Sequence, residues 1–180
     1  MFEMRVAGEG DRDGIAAMIR RRDAWLSARG WPGFGDGGEA LAAQAGDVDF
    51  PVWVLVRDQE VMGCTTLFGE VPEWCFTEDE RSEPAVFMAS TVTAPSEGLR
   101  LGSLIAFWAL DHAAETGRRW VGRATFEAPL MRYYRDVQGW DLLRELDRRG
   151  RSAFIMARRA ERRPELAKLF ETTSFALGVR

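Results

Sequence analysis

The sequence predicts a mixed α/β domain of the α+β type, with a mostly antiparallel central sheet flanked by helices. Short apolar and β-branched segments occur in neighbouring pairs around the turns 57–60 and 148–150, as expected for antiparallel hairpins. Stretches with helical spacing of apolar residues separate other strands, as expected for crossover connections. The chain has 180 residues, of which 46% are apolar, so a single core is large enough to fold it.

The first half of the chain contains a helix that follows a short strand. Asp11 or Asp13 can cap this helix, in which Ile15, Met18, Ile19 and Leu26 have helical spacing. In order, the predicted elements are a strand at 2–6, a helix that ends near 29, a glycine-rich loop at 30–38, a short helix at 39–45, a hairpin of strands at 52–56 and 61–68, and a long acidic loop at 69–84.

The second half of the chain alternates strands with helices before it closes on a hairpin. Gly117 ends the helix that follows the strand predicted at 85–93, and Pro129 opens the next helix. In order, the predicted elements are a strand at 85–93, a helix from 103 to about 116, a strand at 119–126, a helix from 129, and a hairpin of strands at 140–146 and 152–158. This order does not fit a regularly alternating parallel fold.

Composition and charge exclude several classes of protein. The net charge of −4 argues against a nucleic-acid partner. No apolar run approaches the ~20 residues that span a bilayer, and the first residues include Glu3 and no long apolar segment, so we expect neither a membrane span nor a signal peptide. Cys64 and Cys75 are too few for a disulfide framework and no metal-ligand spacing is present, so we expect a cytoplasmic protein without a metal.

The sequence SEGLRLGS, residues 96–103, joins a predicted strand to a predicted helix. A helix N-terminus has unpaired N–H groups and a partial positive charge, both of which bind anions. Gly98 and Gly102 have no Cβ to keep a phosphate away from the main chain. Arg100 can add a charge and Ser103 a hydroxyl. This joint therefore predicts a phosphate-binding loop or, alternatively, a strand-to-helix turn that binds nothing.

In this order of elements, the segment TVTAPSEGLRLGSLIAFWALDHA resembles the acyl-CoA-binding segment of the GNAT superfamily of N-acyltransferases. In that family a strand leads into an Arg/Gln-x-x-Gly-x-Gly/Ala loop and a helix, and main-chain amides hold the CoA pyrophosphate. Glu97 occupies the Arg/Gln position, which departs from the pattern, and Arg100 occupies the first glycine position, where Arg is a frequent variant. The resemblance implies that the cofactor-binding residues are Gly98, Leu99, Arg100, Leu101, Gly102 and Ser103, with the backbone of Val92 and Thr93 pairing with the pantetheine arm.

A second segment, EAPLMRYYRDVQGW, resembles the family's Asn-x-x-Ala-x-x-x-Tyr-x-x-x-Gly-Phe motif. Glu127 then stands at the Asn position and Tyr134 at the Tyr position, with Gly139-Trp140 in place of Gly-Phe. One extra residue separates Tyr134 from Gly139, and a helical bulge can absorb it. The same extra residue leaves Tyr133 open as an alternative to Tyr134.

The resemblance, which covers roughly residues 2–159, implies a direct transfer of an acetyl group from acetyl-CoA to a primary amine of a small molecule. The amine must be neutral to attack, so a base or a water chain removes a proton. The resemblance makes Tyr134 the residue that protonates the departing thiolate, and Glu70 and Glu127 are the candidate bases. The alternative interpretation is a non-catalytic GNAT-like module that binds acyl-CoA or a protein partner, because Glu97 and Glu127 depart from the family pattern.

Two charged blocks bear on the acceptor. The block 70–83 has six acids and one Arg, a net charge of −5, and the block 144–163 has eight Arg and three acids, a net charge of +5. Carboxylates just before the strand 85–93 would attract a protonated amine, which predicts a cationic acceptor. The alternative is that the acidic block is only a solvated surface.

The remaining candidates have structural or functional interpretations. His112 is expected to be an exposed helix residue, and the cysteines have no histidine partner in view, which argues against an acyl-cysteine mechanism. The aromatic residues Trp25, Trp31 and Phe34 lie where the family forms its acceptor wall, although a simple hydrophobic clasp explains them equally well.

The chain divides into a GNAT-like domain at 1–163 and a tail at 164–180. Apolar residues of the tail have helical spacing at first and then alternate: Leu166, Leu169 and Phe170, followed by Phe175, Leu177 and Val179. We expect such a tail to pack on its own core or on a second subunit, so a homodimer is a further expectation.

Overall fold

The computed structural model describes residues 1–170, which contain seven strands and five α-helices. The strands are β1 (Glu3–Val6), β2 (Val52–Arg57), β3 (Glu60–Phe68), β4 (Ala85–Thr93), β5 (Trp120–Thr125), β6 (Asp141–Arg148) and β7 (Arg151–Arg159). The helices are α1 (Arg12–Ser27), α2 (Asp36–Ala43), α3 (Glu78–Arg81), α4 (Leu101–Glu115) and α5 (Ala128–Asp136), and 3-10 turns lie at Glu9–Asp11 and Pro164–Lys168.

All seven strands form one sheet in the order β1-β2-β3-β4-β5-β7-β6. The pair β4–β5 is parallel and every other neighbouring pair is antiparallel. Helix α4 provides the crossover that a parallel pair requires. The predicted mixed, mostly antiparallel sheet with flanking helices is therefore confirmed.

Both predicted hairpins close through two-residue turns with positive φ. Asp58 and Gln59 have φ of 52° and 65°, and Arg149 and Gly150 have φ of 55° and 78°. Positive φ at both central residues gives a turn whose twist matches that of the flanking strands. These turns fix the register of β2–β3 and β6–β7.

Alternation along the strands gives each face of the sheet its own core. Helix α4 covers one face with Ile105, Ala109 and Leu110, which pack on alternate residues of the central strands such as Met88 and Val121. Helix α1 covers part of the opposite face. Its buried residues are Ile15, Met18 and Ile19, three of the four that the spacing predicted. The fourth, Leu26, lies near the end of α1 and is only partly buried.

The two charged blocks pair with each other on the α1 face of the sheet. Arg144 of β6 bonds to Glu80, and its guanidinium also donates to the Cys75 carbonyl at 2.9 Å. Arg159 of β7 bonds to Glu83. Phe76, four residues before Glu80, packs its ring on Phe87 and Trp120 of the sheet beneath. Glu80 and Glu83 of the acidic block are therefore neutralised by the basic block.

Part of the acidic segment was predicted as loop but is helical. Thr77 and Glu80 form a capping box, with the Glu80 N–H donating to Thr77 Oγ1 at 3.2 Å and the Thr77 N–H donating to the Glu80 carboxylate at 2.9 Å. Helix α3 is one turn long, too short for apolar periodicity to reveal it. Helix α2 also begins three residues earlier than predicted, at Asp36.

His112 differs from its prediction as an exposed residue. Its ring stacks on Trp108, with centroids 4.9 Å apart and an interplanar angle of 12°, and Trp53 lies 4.9 Å away. Because this cluster half-buries the imidazole, desolvation lowers the pKa of His112. Trp53 comes from β2, so only the tertiary fold brings these rings together.

The described part of the tail packs on the sheet. Leu166 is buried, and Phe170 forms a parallel bridge with Phe2, whose N–H donates to the Leu169 carbonyl at 2.8 Å. The rest of the predicted tail, residues 171–180, lies outside the described residues. Within residues 1–170, no helix is long and apolar enough to cross a membrane, and no cluster of three or more His, Cys, Asp or Glu side chains could hold a metal ion.

Candidate functional site

The strands β4 and β5 separate at the centre of the sheet. They pair through four residues each, and the last pair is Met88 with Arg123. Beyond it, β5 continues along β7, with Thr125 opposite Phe154, while β4 continues along β3, with Val92 opposite Cys64. A gap therefore opens between the carboxyl ends of two parallel strands, the place where α/β sheets commonly bind ligands.

A β-bulge in β4 lies directly beyond the last pair. Ser90 has φ of +50°, and the register with β3 shifts at this point. The buried Thr65 hydroxyl supports the bulge, since it donates to the Ala89 carbonyl at 3.0 Å and lies 2.9 Å from the Thr91 hydroxyl. A bulge redirects the main chain of its strand, and bulges are frequent next to active sites.

The bulge decides which main-chain groups of β4 face the gap. The Ala94 N–H donates to the Met62 carbonyl of β3 at 2.8 Å. Because main-chain groups alternate along a strand, those of Thr93 are directed toward the gap and those of Val92 toward β3. The side chain of Val92 is buried on the α1 side. The geometry therefore supports Thr93 but not Val92 as a main-chain partner for a molecule in the gap.

The first turn of α4 lies at the end of β4 and has free N–H groups. Its first helical bond runs from the Leu104 N–H to the Arg100 carbonyl, at 3.0 Å. Within residues 1–170, no acceptor takes the N–H groups of Leu101, Gly102 and Ser103, and no acid lies in the first turn. These groups can hold an anion.

The glycines of the loop leave room for such an anion. A Cβ placed on Gly98 or on Gly102 would meet nothing within 4 Å, and Gly98 also has φ of +76°. Leu99 and Arg100 are exposed beside them. The loop that was predicted from Gly98, Leu99, Arg100, Leu101, Gly102 and Ser103 is therefore open at its surface, with room for an anion beside its main chain.

Two residues of this loop have side chains that point inward. Leu101 is buried in the α4 core, and Ser103 is only 6% exposed. The Ser103 hydroxyl lies 3.0 Å from the Tyr133 hydroxyl and accepts a bond from the Gln138 amide at 3.2 Å. Since its hydroxyl already has internal partners, Ser103 has its main-chain N–H, but not its side chain, available for a bound anion.

Tyr134 lies at the point where the strands separate. Its ring covers the guanidinium of Arg123, the last β5 residue paired with β4, at 3.5 Å from the ring centroid. Within the described part of the chain, no group bonds to the Tyr134 hydroxyl, whereas the Tyr133 hydroxyl is bonded to Ser103. The geometry therefore favours Tyr134 over Tyr133 as a proton donor.

The extra residue of the second motif lies at the end of α5. The Tyr133 carbonyl accepts from the Val137 N–H at 2.9 Å. The Gln138 N–H is shared between the Tyr134 carbonyl, four residues back, at 3.2 Å and the Tyr133 carbonyl, five residues back, at 3.4 Å. The predicted bulge is therefore limited to the longer branch of this bifurcated bond. Gly139 follows with φ of +73°, as expected at a helix end.

The two candidate bases lie in different places. Glu127 precedes α5, at the gap end of β5, where its exposed carboxylate pairs with Arg151 at 3.3 Å. Glu70 is exposed beyond the end of β3. Since Phe68 pairs with Phe87, near the start of β4, Glu70 lies at the end of the sheet away from the gap. Only Glu127 is therefore on the gap side.

The aromatic cluster at the end of α1 has partly exposed rings. Trp25 and Trp31 meet edge to face with centroids 5.8 Å apart, and the Arg29 guanidinium covers Trp25 at 3.7 Å. Asp23 holds the following loop by accepting from the Phe34 N–H at 2.9 Å. Both earlier interpretations, acceptor wall and hydrophobic clasp, remain compatible with this arrangement.

Arg123 and Gln138 are site residues that the sequence alone did not identify. Arg123 is 4% exposed and donates to the Gln138 side-chain carbonyl at 3.3 Å. Trp140 donates to the same oxygen at 3.0 Å. The only sequence signal was an arginine within an otherwise apolar strand, two residues after the inward-facing Val121.

No protein-family model matches the chain, and no curated protein matches it at a significant level. Solved structures are more informative. An acetyltransferase of the GNAT family from Listeria monocytogenes has a TM-score of 0.67 at 15% identity, covering 88% of this chain and 94% of its own. Aminoglycoside 6'-acetyltransferase type Ii has a TM-score of 0.62 at 11% identity, covering 89% of this chain and 99% of its own.

The structure of yncA from Salmonella typhimurium, solved with its cofactor acetyl-CoA, is also similar. Its TM-score is 0.52 at 15% identity, with 91% of this chain and 96% of that chain covered. At such identities the likeness establishes the fold. The chain has the GNAT fold, as its two motifs predicted.

Proposed function

We propose that this protein, a chain with the GNAT fold, is an N-acetyltransferase that transfers the acetyl group of acetyl-CoA to a primary amine. One observation carries the proposal: the gap between β4 and β5 has the anion-binding turn of α4 at its mouth and Tyr134 at its inner end. A donor with a pyrophosphate at one end and a thioester at the other matches these two features.

Binding of the donor is proposed to depend mainly on main-chain groups. The N–H groups of Leu101, Gly102 and Ser103 would hold the pyrophosphate, and Arg100, exposed at the mouth, would add positive charge. Thr93 would pair with the pantetheine arm. The exposed Glu97 lies outside this set of N–H donors, so its departure from the family motif leaves the binding turn intact.

Acetyl-CoA, when bound, supplies the acyl group and the thiolate that leaves. The Tyr134 hydroxyl is the chain's proton donor in this proposal, because it has no competing partner and lies beside the gap. Glu127 is the better placed of the two candidate bases, directly or through water. Removal of the proton from the ammonium form makes the acceptor nucleophilic.

The charge of the acceptor depends on which carboxylates of the acidic block are free. Three of the six acids in the block 70–83 are paired with arginine: Glu73, Glu80 and Glu83. Glu78 and Asp79 lie exposed on α3, and these are the carboxylates that could still attract a cation. A cationic acceptor is therefore a proposal that depends on these two residues, because Glu70 lies at the end of the sheet away from the gap.

Release of free CoA thiol in the presence of candidate amines tests the proposal. We expect acetyl-CoA turnover with at least one member of a panel of aminoglycosides, polyamines, amino acids and peptide N-termini. Tight binding of acetyl-CoA by calorimetry without turnover on any amine would favour the alternative, a non-catalytic module. Failure to bind acetyl-CoA at all would contradict both interpretations.

A further inference from the structure

Arg123 is a buried cation without an anion. Its side chain is on the α4 and α5 side of β5, and its Nε has no hydrogen-bond partner within residues 1–170. No carboxylate of the described chain forms an ion pair with it. Its polar contact is one bond of 3.3 Å to the neutral Gln138. Because burial removes water from the charged guanidinium, it lowers the pKa of Arg123.

A buried charge in this environment is expected to destabilise the fold. Burial removes the water that solvates a guanidinium, and one amide oxygen replaces that solvation poorly. An apolar side chain of similar length, such as methionine, would fill the same space without this cost. The arginine at this position therefore needs an explanation other than stability.

The strongest contacts of the guanidinium are with aromatic rings. Its central carbon lies 3.5 Å from the centroid of Tyr134 and 5.0 Å from that of Trp140. A desolvated cation over a ring face is held more firmly than an apolar contact of the same area. The fully buried Trp140 and the Gln138 bond fix the guanidinium from the other side.

The same residues connect the inner end of the gap to the first turn of α4. Gln138 accepts from Arg123 through its side-chain oxygen and donates through its nitrogen to Ser103, at 3.2 Å. Ser103 in turn bonds Tyr133. One buried chain of polar contacts therefore joins the ring of Tyr134 to the turn that is proposed to hold the pyrophosphate.

We propose that Arg123 is a positioning residue that holds the Tyr134 ring at the inner end of the β4–β5 gap, in register with the first turn of α4. This role rests on the proposed function, because it matters for catalysis only if Tyr134 acts on a ligand in the gap. It predicts a conflict between stability and activity at one residue: the arginine makes the fold less stable and the active site better ordered.

Two variants and a control test the role through stability and kinetics together. Arg123→Met should raise the melting temperature and lower kcat about tenfold, with an unchanged KM for acetyl-CoA, because misplacing one group affects the reaction rather than donor binding. Arg123→Lys, which keeps a cation over the ring, should recover part of kcat. Arg163→Met is the matched control, since Arg163 covers the Phe107 ring at 4.3 Å beside the middle of α4 but is paired with Glu161 and Glu165. It should lower stability and leave kcat unchanged.

A second measurement needs no turnover. The chain has two tyrosines, so in a Tyr133→Phe background tyrosine that is isotopically labelled only at the ring Cζ gives a single NMR resonance, that of Tyr134. Arg123→Met should shift and broaden this resonance, and Arg123→Lys should restore it in part. An unchanged resonance, or a variant that is less stable with wild-type kcat, would overturn the proposal. If no amine is acetylated but the resonance responds as expected, the proposed function fails and the positioning role of Arg123 stands.

Discussion

The hydroxyl of Tyr133 lies 3.0 Å from the hydroxyl of Ser103, and this contact ties α5 to the first turn of α4. The neighbouring Tyr134 hydroxyl has no such bond within the described residues. Adjacent tyrosines on one helix therefore differ in function: one is a structural link, and the other has its hydroxyl available to a ligand.

Removal of the two hydroxyls should have different effects. Tyr134→Phe should lower kcat by ~10²-fold, the usual contribution of one general acid, with little change in KM for acetyl-CoA. Tyr133→Phe should leave kcat within a few-fold of wild type and lower stability, because Ser103 loses a buried partner. Steady-state kinetics and thermal melting measure both effects. The opposite pattern of kcat losses would assign the proton donor to Tyr133.

Gly102→Val should weaken binding of acetyl-CoA by about tenfold or more (~1.4 kcal/mol per factor of ten). A Cβ at Gly102 meets no protein atom within 4 Å, so the variant should fold normally and the added side chain should obstruct only a ligand. Gly37→Val is the matched control, because Gly37 is also the second residue of a helix with open space around its Cβ. Calorimetry should give wild-type affinity for the control, and equal affinities for both variants would rule out the loop as the binding site.

The pairing of Glu80 should make stability depend on pH. A hydrogen bond from Arg144 lowers the pKa of Glu80, so this carboxylate stabilises the fold above its unfolded pKa of ~4.3, and the contribution is lost as the pH falls through the lower, folded value. Glu80→Gln should cost about 1 kcal/mol at neutral pH, while glutamine keeps the capping box.

Denaturant titrations at several pH values measure this difference. It should shrink as the pH falls below ~4. Glu78→Gln, an exposed change on the same helix, should alter stability by less than ~0.5 kcal/mol at any pH. A Glu80→Gln difference that persists unchanged in acid would show that the ion pair is not its source.

A cationic acceptor requires attraction by the unpaired carboxylates of α3. The double change Glu78→Gln and Asp79→Asn removes them and leaves the Glu80–Arg144 pair intact. If these acids attract the acceptor, kcat/KM should fall in the variant at low salt, and its salt dependence should flatten, with kcat nearly unchanged. Wild-type kcat/KM at low salt would mean that α3 is only a solvated surface.

Both thiols should be unreactive in the native protein. Burial raises the pKa of Cys64 to about 12 and that of Cys75 to about 12, so neither is a thiolate near neutral pH. An aromatic disulfide reagent should detect no thiol in the folded protein at mildly alkaline pH and both thiols after denaturation. Rapid labelling of the native protein would reopen a role for cysteine in acyl transfer.

Local patterns were sufficient to predict the strands and the longer helices. The strand predicted at 85–93 coincides with β4, and the three buried residues of α1 are among the four with helical spacing. The hairpins followed from the turns between paired apolar segments. Helix α3 is shorter than any periodic signal, although Thr77-x-x-Glu80 is a recognisable capping box.

The details of the gap could not be predicted from the sequence, because they depend on pairing between distant strands. The bulge at Ser90 turns the main-chain groups of Val92 away from β5, and no local pattern reveals this shift. Arg123 is an arginine in a strand, which by itself is equally compatible with a solvent-facing position. The partners that bury it, Gln138 and Trp140, lie beyond the next helix.

The sheet consists of two sets of strands that are continuous within themselves, β1 to β4 and β5 to β7. Along the sheet the two sets pair through four residue pairs of the parallel strands, and α4, the Glu80–Arg144 and Glu83–Arg159 pairs and the Phe2–Phe170 bridge join them elsewhere. The residues that pair between β4 and β5 are separated in sequence by the whole α4 crossover. We therefore expect this pairing to form late in refolding, after the hairpins on either side. A ligand between β4 and β5 would contact both sets and would add its binding free energy to the work of separating them. The donor would then also help assembly, by holding together two strands that pair with each other only along their first four residues.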